Sequence, residues 1–231
     1  MARLWSNDEQ LFELARRELF TAVVGDVMDK LGFQRQFLPP QIRPLAPDMV
    51  AVGRAMTVLE ADCFEAESEG SGNPVMAAPF GLMLDALDDL KPGEIYLCAG
   101  ASPRYALWGE LMSERAIHLG AAGAVMDGYS RDTLGILELG FPTFSYGPYA
   151  QDQGPRGKVL DFRVPLEIGG TRVHPGDLVF ADIDGVCAVP QEAEEDVLAA
   201  ALEKARGEKT VQKAIREGMS AREAFETYGI L

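Results

Sequence analysis

One stretch constrains this chain more than any other: Gly109 to Thr133, GELMSERAIHLGAAGAVMDGYSRDT. Gly109 to Leu119 reads as a helix with Leu111, Ala116 and Ile117 on its apolar face. Gly120 and Gly123 are placed to end it. Ala124-Val125-Met126 is a short apolar run, predicted as a buried strand. Asp127-Gly128 then turns the chain into a loop carrying Tyr129, Ser130, Arg131 and Asp132. A helix that feeds a strand returns the chain toward the helix's own start, so this loop is expected to face Gly109, Glu110 and Leu111. That end of a helix presents unpaired N–H groups and the positive pole of the dipole, an anion site. Arg131 offers a planar fork for a carboxylate or phosphate. Asp132 offers a hard oxygen ligand for a divalent cation, and Glu110 a second acid. Together they describe a site for a small anionic substrate on a metal. On spacing alone a blander reading is favoured, in which Arg131-Asp132 is a solvated ion pair and the glycines are punctuation.

Size and charge bound the alternatives. The chain has 231 residues, 47% of them hydrophobic, enough for one substantial core in a single domain over 1–231. The net charge of −15 argues against a nucleic-acid footprint or an anionic membrane as partner. It leaves a small anionic substrate open, since a local guanidinium and helix dipole dominate at short range. Cys63, Cys98 and Cys187 are widely spaced with no CxxC, and read as small buried hydrophobes in a reducing cytoplasm. With only His118 and His174, a multi-histidine metal centre is disfavoured and an oxygen-ligated cation favoured. The polar start MARLWSNDEQL has no signal-peptide pattern, and no run of about 18 apolar residues suggests a membrane span.

In chain order, Asn7 or Asp8 is expected to cap a first helix through Leu19, and Thr21 a second through Leu31. Asp26 and Asp29 on the second helix read as solvated acids. Gln34 to Pro47 is a proline-bearing arm unfit for a central sheet. Val50 to Ala61 is strand-like, and Glu65 to Pro74 a polar glycine-rich loop without a dinucleotide fingerprint. Met83 to Leu90 reads as helix, Glu94 to Cys98 as strand, and Gly100 to Trp108 as a loop whose Arg104, Tyr105 and Trp108 are available to line a pocket. Leu134 to Leu139 is a short helix and Phe141 to Tyr146 a strand. Strands follow at Lys158–Leu166, Thr171–Val173, Leu178–Ala181 and Gly185–Val189, separated by glycine-bearing turns. Glu192 to Lys213 is a long charged helix with a stripe through Val197, Ala200, Ala201 and Leu202. A last helix, Ala221 to Tyr228, is capped by Ser220.

The central stretch resembles the core motif of the family named for the regulator of ribonuclease activity A, which also contains the 4-hydroxy-4-methyl-2-oxoglutarate aldolases. Their motif is an acid, twenty residues, then Arg-Asp; here Glu110 is followed by residues 111–130 and then by Arg131-Asp132. The aldolase motif opens with Asp where this chain has Glu110. TAVVGDVMDKL near the start, Ala181-Asp182-Ile183-Asp184-Gly185-Val186 and the tail GMSAREAFETYGIL resemble the family as well, although Asp184-Gly185 also reads simply as a tight turn. The resemblance implies an α/β fold, a three-layer swivelling β/β/α domain with flanking N- and C-terminal helices. It also implies a homotrimer or homohexamer in which helices from about 192 to 231 pack on a neighbouring subunit. By the same resemblance, a C-terminal Glu from that neighbour completes the site: Glu208, with Glu203 as the second choice. Asn73 matches an active-site border in relatives.

The activity this implies is a lyase acting on a small 2-oxo acid. Arg131 grips the substrate carboxylate. The backbone at Gly109, Glu110, Leu111 and Met112 binds oxygen. Asp132 holds Mg²⁺ or Mn²⁺, and Glu110 and Glu208 manage the proton. Retro-aldol cleavage and oxaloacetate decarboxylation both lead to pyruvate. A Schiff-base aldolase is disfavoured because Lys30, Lys91, Lys158, Lys204, Lys209 and Lys213 all read as polar or terminal. A methyltransferase, another label used in the family, lacks its glycine-rich nucleotide loop. The rival from a different class is a non-catalytic regulator that binds a ribonuclease or another protein.

Overall fold

The computed structural model describes residues 4–63 and 72–229, so most of the polar loop expected from Glu65 lies outside the described residues. The chain opens with two helices, α1 (Asp8–Glu18) and α2 (Thr21–Lys30). Asn7 caps α1, its side chain accepting from the Gln10 N–H at 2.9 Å. Thr21 is not the cap of α2 but its first residue. The cap comes from 161 positions away: Asp182 accepts from Thr21 N–H at 2.8 Å and from its hydroxyl at 2.6 Å. A carboxylate at a helix start meets both the unpaired amides and the positive pole of the dipole.

The proline arm reaches the sheet at its edges, through a single bridge from Phe37 to Cys187 and as the two-residue edge strand β1 (Arg43–Pro44), where a missing N–H is tolerated. The longest strand follows, β2 (Ala51–Asp62), then the short helices α3 (Pro74–Ala77) and α4 (Met83–Asp88), and β3 (Glu94–Ala99). Residues Ala106–Trp108, expected as loop, form β4. The central stretch supplies α5 (Glu110–His118), β5 (Gly123–Met126), β6 (Tyr129–Ser130) and α6 (Thr133–Leu139). Gly123 therefore begins a strand instead of ending a helix; Gly120, at φ +78°, is the terminator. The remaining elements are β7 (Thr143–Ser145), β8 (Gly157–Phe162), β9 (Leu166–Ile168), β10 (Thr171–Val173), β11 (Leu178–Asp182), β12 (Gly185–Val189), α7 (Glu194–Arg216) and α8 (Ala221–Tyr228). Ser220 caps α8 as expected, accepting from Glu223 N–H, and Gly229 closes it at φ +66°.

The main sheet runs β1-β7-β5-β3-β2-β11-β12, with β8 also on β2. The β7-β5-β3-β2 ladders are parallel, and those of β1, β8, β11 and β12 antiparallel. Twelve-residue β2 changes partner along one side, pairing β11 through residues 51–54 and β8 through residues 58–62, which curls the sheet. One apolar cluster fills the curl, with Ala55, Leu97, Val125, Phe144, Ile168 and Val179. A second lies between the sheet's other face and α4–α6, with Met56, Val58, Tyr96, Trp108, Ala116 and Met126. The third gathers α1, α2 and α7 against the sheet end. This is the three-layer swivelling β/β/α architecture with flanking helices. The stripe of α7, extended to Leu198 and Ala205, is buried against this chain's own α1 and α2.

The helix face of α5 differs from its pattern. Ser113 and Ala116 are buried, whereas Leu111 is 82% exposed and Ile117 42%. A buried serine stands in for an apolar residue because its hydroxyl is fully used, as described below. Among the described residues no helix is long and apolar enough to cross a membrane. The three cysteines are buried, as their spacing suggested.

Removing the remote cap tests this arrangement. Asp182→Ala should lower unfolding stability in urea by about 1–2 kcal/mol, the range for a lost N-cap. An unchanged midpoint would show that water replaces the carboxylate at no cost.

Candidate functional site

Two short strands build the site. β4 and β6 pair in parallel, Ala106 opposite Tyr129 and Trp108 opposite Ser130. The ladder continues one step as Arg131 N–H donates to the Trp108 carbonyl at 2.9 Å. Gly109, which follows β4, is thereby set beside Arg131-Asp132, which follows β6. Tyr129 and Ser130 are thus strand and not loop, and their pairing delivers the two charged residues to the start of α5. The supporting turn is fastened by the Tyr146 hydroxyl, which donates to Asp127 at 2.7 Å, and by a buried Ser130–Ser145 hydroxyl pair at 2.9 Å.

The start of α5 has Gly109 as its cap residue and no side-chain cap bond. The amides of Glu110, Leu111 and Met112 occupy its first turn, where N–H groups have no intrahelical acceptor. Behind them, Trp108 Nε1–H donates to the Ser113 hydroxyl at 2.7 Å, and that hydroxyl donates to the Gly109 carbonyl at 3.1 Å. Trp108 also stacks on Phe141, so the end of β4 and the first turn of α5 form one rigid piece.

Asp132 is the residue before α6 and lies in the left-handed region, φ +57° and ψ +37°. Outside glycine that conformation costs of order 1–3 kcal/mol and persists only where the surroundings enforce it. Its consequence is directional. The carboxylate makes no cap bond to α6 and instead lies over Gly109, where a Cβ would come within 2.7 Å of Oδ2. Glycine is needed at 109 for that close approach, not for its dihedral angles. The Glu110 side chain goes elsewhere. It packs over Gly135 in the first turn of α6, in space that a β-carbon would take, and it is not part of the cleft wall. A carboxylate there faces the positive end of a helix left uncapped by Asp132.

Arg131 and Asp132 open onto a cleft of about 410 Å³, walled by Gly109, Leu111 and Met112 on one side and by Phe80, Met83 and Leu84 on another. Four of its polar members, Asp88, Arg115, Asp152 and Gln153, were not among the residues expected there. Asp152 accepts from Arg131 Nη1 at 2.7 Å, while Asp132 lies 3.7 Å from Arg131 Nε. Arg115, one turn along α5 from Leu111, donates through Nε to Asp88 at 2.7 Å. Gln153 donates to Glu60 at 2.8 Å. Period-2 alternation along β2 puts Glu60 on the face of Met56 and Val58, toward the cleft, and that was the available signal. Asp152 and Gln153 carry no such pattern. Glu60 is 1% exposed. Burial pushes its carboxyl up to about 8; the Gln153 hydrogen bond opposes this and the charge of Asp62 adds to it.

The other predicted residues lie apart. Glu208 is on α7, 3.5 Å from Lys204, which also pairs with Asp26. Neither Glu208 nor the exposed Glu203 lines this chain's cleft. Asn73 caps α3. Arg104 is exposed and Tyr105 buried. Asp29 borders a separate hollow of about 350 Å³ beside Phe37 and Gly169. Lys158, expected in a polar setting, is buried at 5% exposure, but its ammonium donates to the Ala78 carbonyl at 2.7 Å and it lies outside the cleft wall. Among the described residues no cluster of three or more His, Cys, Asp or Glu is arranged to hold a metal ion.

The RraA-like family model, described as aldolase/RraA, matches residues 21–188. A protein of Halalkalibacterium halodurans, provisionally named a 4-hydroxy-4-methyl-2-oxoglutarate aldolase, is 30% identical over 210 residues, 90% of each chain. An uncharacterised protein of Pseudomonas syringae pv. tomato superposes with TM-score 0.78 at 27% identity, covering 94% of this chain and 96% of that one. Streptomyces coelicolor RraAS2, described as an unusual member of the RNase ES inhibitor RraA family, shares the fold at 23% identity, with TM-score 0.75 over 90% of this chain and 98% of its own.

The buried carboxyl behind the cleft gives a pH signature. Between its ordinary value of 4.5 and about 8, folded Glu60 keeps a proton that the unfolded chain has lost, so its contribution to stability falls as pH rises through that window and levels off above it. Glu60→Gln keeps the acceptor for Gln153 and removes the titration. Relative to wild type, its Tm should rise between pH 5 and pH 9, by about 2–4 °C for each kcal/mol regained. A Tm difference independent of pH would refute the assignment.

Proposed function

This chain belongs to the RraA-like, aldolase/RraA family, and we propose that within it the chain is a divalent-metal-dependent carbon–carbon lyase. Its substrate is a 4-hydroxy-2-oxo acid such as 4-hydroxy-4-methyl-2-oxoglutarate, or oxaloacetate, and its product pyruvate. One observation carries this reading: a guanidinium, a carboxylate turned away from its own helix, and the uncapped start of α5 at Gly109, Leu111 and Met112 meet at one cleft. The provisional aldolase name of the H. halodurans relative supports it.

The residues fit a hard cation. Asp132 offers a carboxylate that is 47% exposed and spends no bond on capping. A single carboxylate with water in the remaining positions suits Mg²⁺ or Mn²⁺, which gives up its water reluctantly. When bound, such an ion supplies Lewis acidity to the 2-oxo group. Arg131 grips the C1 carboxylate through its planar fork. The amides of Glu110, Leu111 and Met112 stabilise the negative charge that gathers on substrate oxygen as the C3–C4 bond breaks. The proton of the 4-hydroxyl goes to a carboxylate base as the C4 carbonyl forms and is returned to C3 of the enolate to give pyruvate; for that base we assign Glu110, once turned from Gly135, and Glu208 delivered by a neighbouring copy.

We place this site in one RraA-like domain of a cytoplasmic homotrimer or homohexamer. Leu84 and Leu111 on the cleft walls are 57% and 82% exposed, and Leu134 on α6 is 77% exposed. Apolar surface of that kind is normally covered by a partner.

The test is pyruvate release from both substrates, with Mg²⁺ and with chelator. Arg131→Ala should lower kcat/KM by about 100-fold or more, the scale of a lost charge-stabilising group. If no turnover depends on metal and Arg131→Ala matches wild type, the chain is a regulator that binds a ribonuclease or another protein. A second variant probes Asp132 through its neighbour. Gly109→Ala should push the carboxylate away and weaken Mn²⁺ binding, measured by calorimetry, by about tenfold or more, as for residues that orient a ligand. Unaltered Mn²⁺ affinity would remove Asp132 from the role.

A further inference from the structure

We propose that Asp152 is an exchangeable counter-ion for Arg131, holding the guanidinium between turnovers and leaving it when a substrate carboxylate binds. The inference rests on the reading of Arg131 as the carboxylate grip.

A guanidinium binds a carboxylate best through two adjacent N–H groups, and it has two edges that offer such a pair. In Arg131 both edges are flanked. Asp152 Oδ1 accepts from Nη1 at 2.7 Å, and Asp132 Oδ2 lies 3.7 Å from Nε. An incoming carboxylate must displace one of them. Asp132 stays in place, because it is the carboxylate assigned above to the cation and at 3.7 Å it makes no hydrogen bond to Nε that has to be given up.

Asp152 is free to swing because its main chain is fastened independently. Arg156 N–H and Gly157 N–H donate to the Gln153 carbonyl at 2.7 and 2.9 Å. The Gln153 side chain is tied to buried Glu60 at 2.8 Å, and Arg156 Nη1 donates to the Asp152 carbonyl at 3.0 Å. Rotation about the Asp152 side-chain bonds therefore surrenders only the Arg131 bond and a 3.0 Å bond from Gly154 N–H, and leaves the loop in place. The two side chains are 40% and 45% exposed, so water screens the pair and it exchanges at little cost.

Such a counter-ion has two uses. It keeps Arg131 extended over the cleft, so less side-chain freedom is lost on binding. It also competes with the carboxylate of the product, which favours release.

Asp152→Asn isolates the effect, because the amide oxygen still accepts from Gly154 N–H while the charge is gone. With Mg²⁺ present, calorimetry should show pyruvate bound about fivefold more tightly, roughly 1 kcal/mol. KM should fall with it, without any rise in kcat and with the Tm little changed. Asp152→Ala should tighten binding in the same direction. Pyruvate affinity unchanged or weakened in both variants, with wild type binding normally, would overturn the inference and leave the lyase reading standing. If wild type and both variants bind no pyruvate and release none from either substrate, the grip itself is refuted and Asp152 loses its role along with it.

Discussion

Everything at the cleft depends on a two-rung parallel pairing. Trp108 opposite Ser130, with the Arg131 amide on the Trp108 carbonyl, brings residues some twenty positions apart to adjacent ends of neighbouring strands. The next residue of one strand is a helix start with bare amides. The next two residues of the other are a cation and an anion. Anion site, guanidinium and carboxylate are therefore consequences of one register, and a slip of one residue would turn Arg131 to the opposite face. The register is secured from behind by the Trp108–Ser113–Gly109 hydrogen bonds and by aromatic packing in the cluster under α5.

The polar groups of the site are ranked by burial. Nearest the solvent, Arg131, Asp132 and Asp152 are each about half exposed, where charge is inexpensive and exchange is easy. One layer down, Gln153 connects the cleft to Glu60, which is almost fully enclosed. Charge there is costly, which is why the Glu60 carboxyl is pushed up instead of sharing the behaviour of its surface counterparts. The acidic net charge of the chain thus coexists with a cleft built to receive an anion, because the deciding groups act within a few ångströms.

Backbone strain and glycine placement share the work of aiming Asp132. Left in an ordinary conformation before α6, its side chain would cap that helix. The left-handed turn denies it that role, the bare Gly109 gives it room, and Glu110 takes over the electrostatic service to α6 from the side.

By itself the sequence determined most of the elements and their order, but not β4 and β6, the two short strands that build the site. The end of α5 at Gly120, strand β12, the caps by Asn7 and Ser220, and the buried stripe of α7 all follow from local pattern, since 3.6- and 2-residue periodicity and cap chemistry act within a turn or two of chain. The Glu110 to Arg131-Asp132 spacing was legible for the same reason, being a property of consecutive residues. Only the tertiary structure decided what touches what. Asp182 at the start of α2, Asp152 on Arg131, Glu60 behind Gln153 and the side chain of Glu110 on Gly135 join residues by packing rather than by spacing. It also decided which face of α5 is inside: Leu111 looked like core by type, yet Ser113 is the buried residue because a hydroxyl with two partners waits there. Those outcomes depend on how the curled sheet and its helices close on one another, and no local window of residues holds that information.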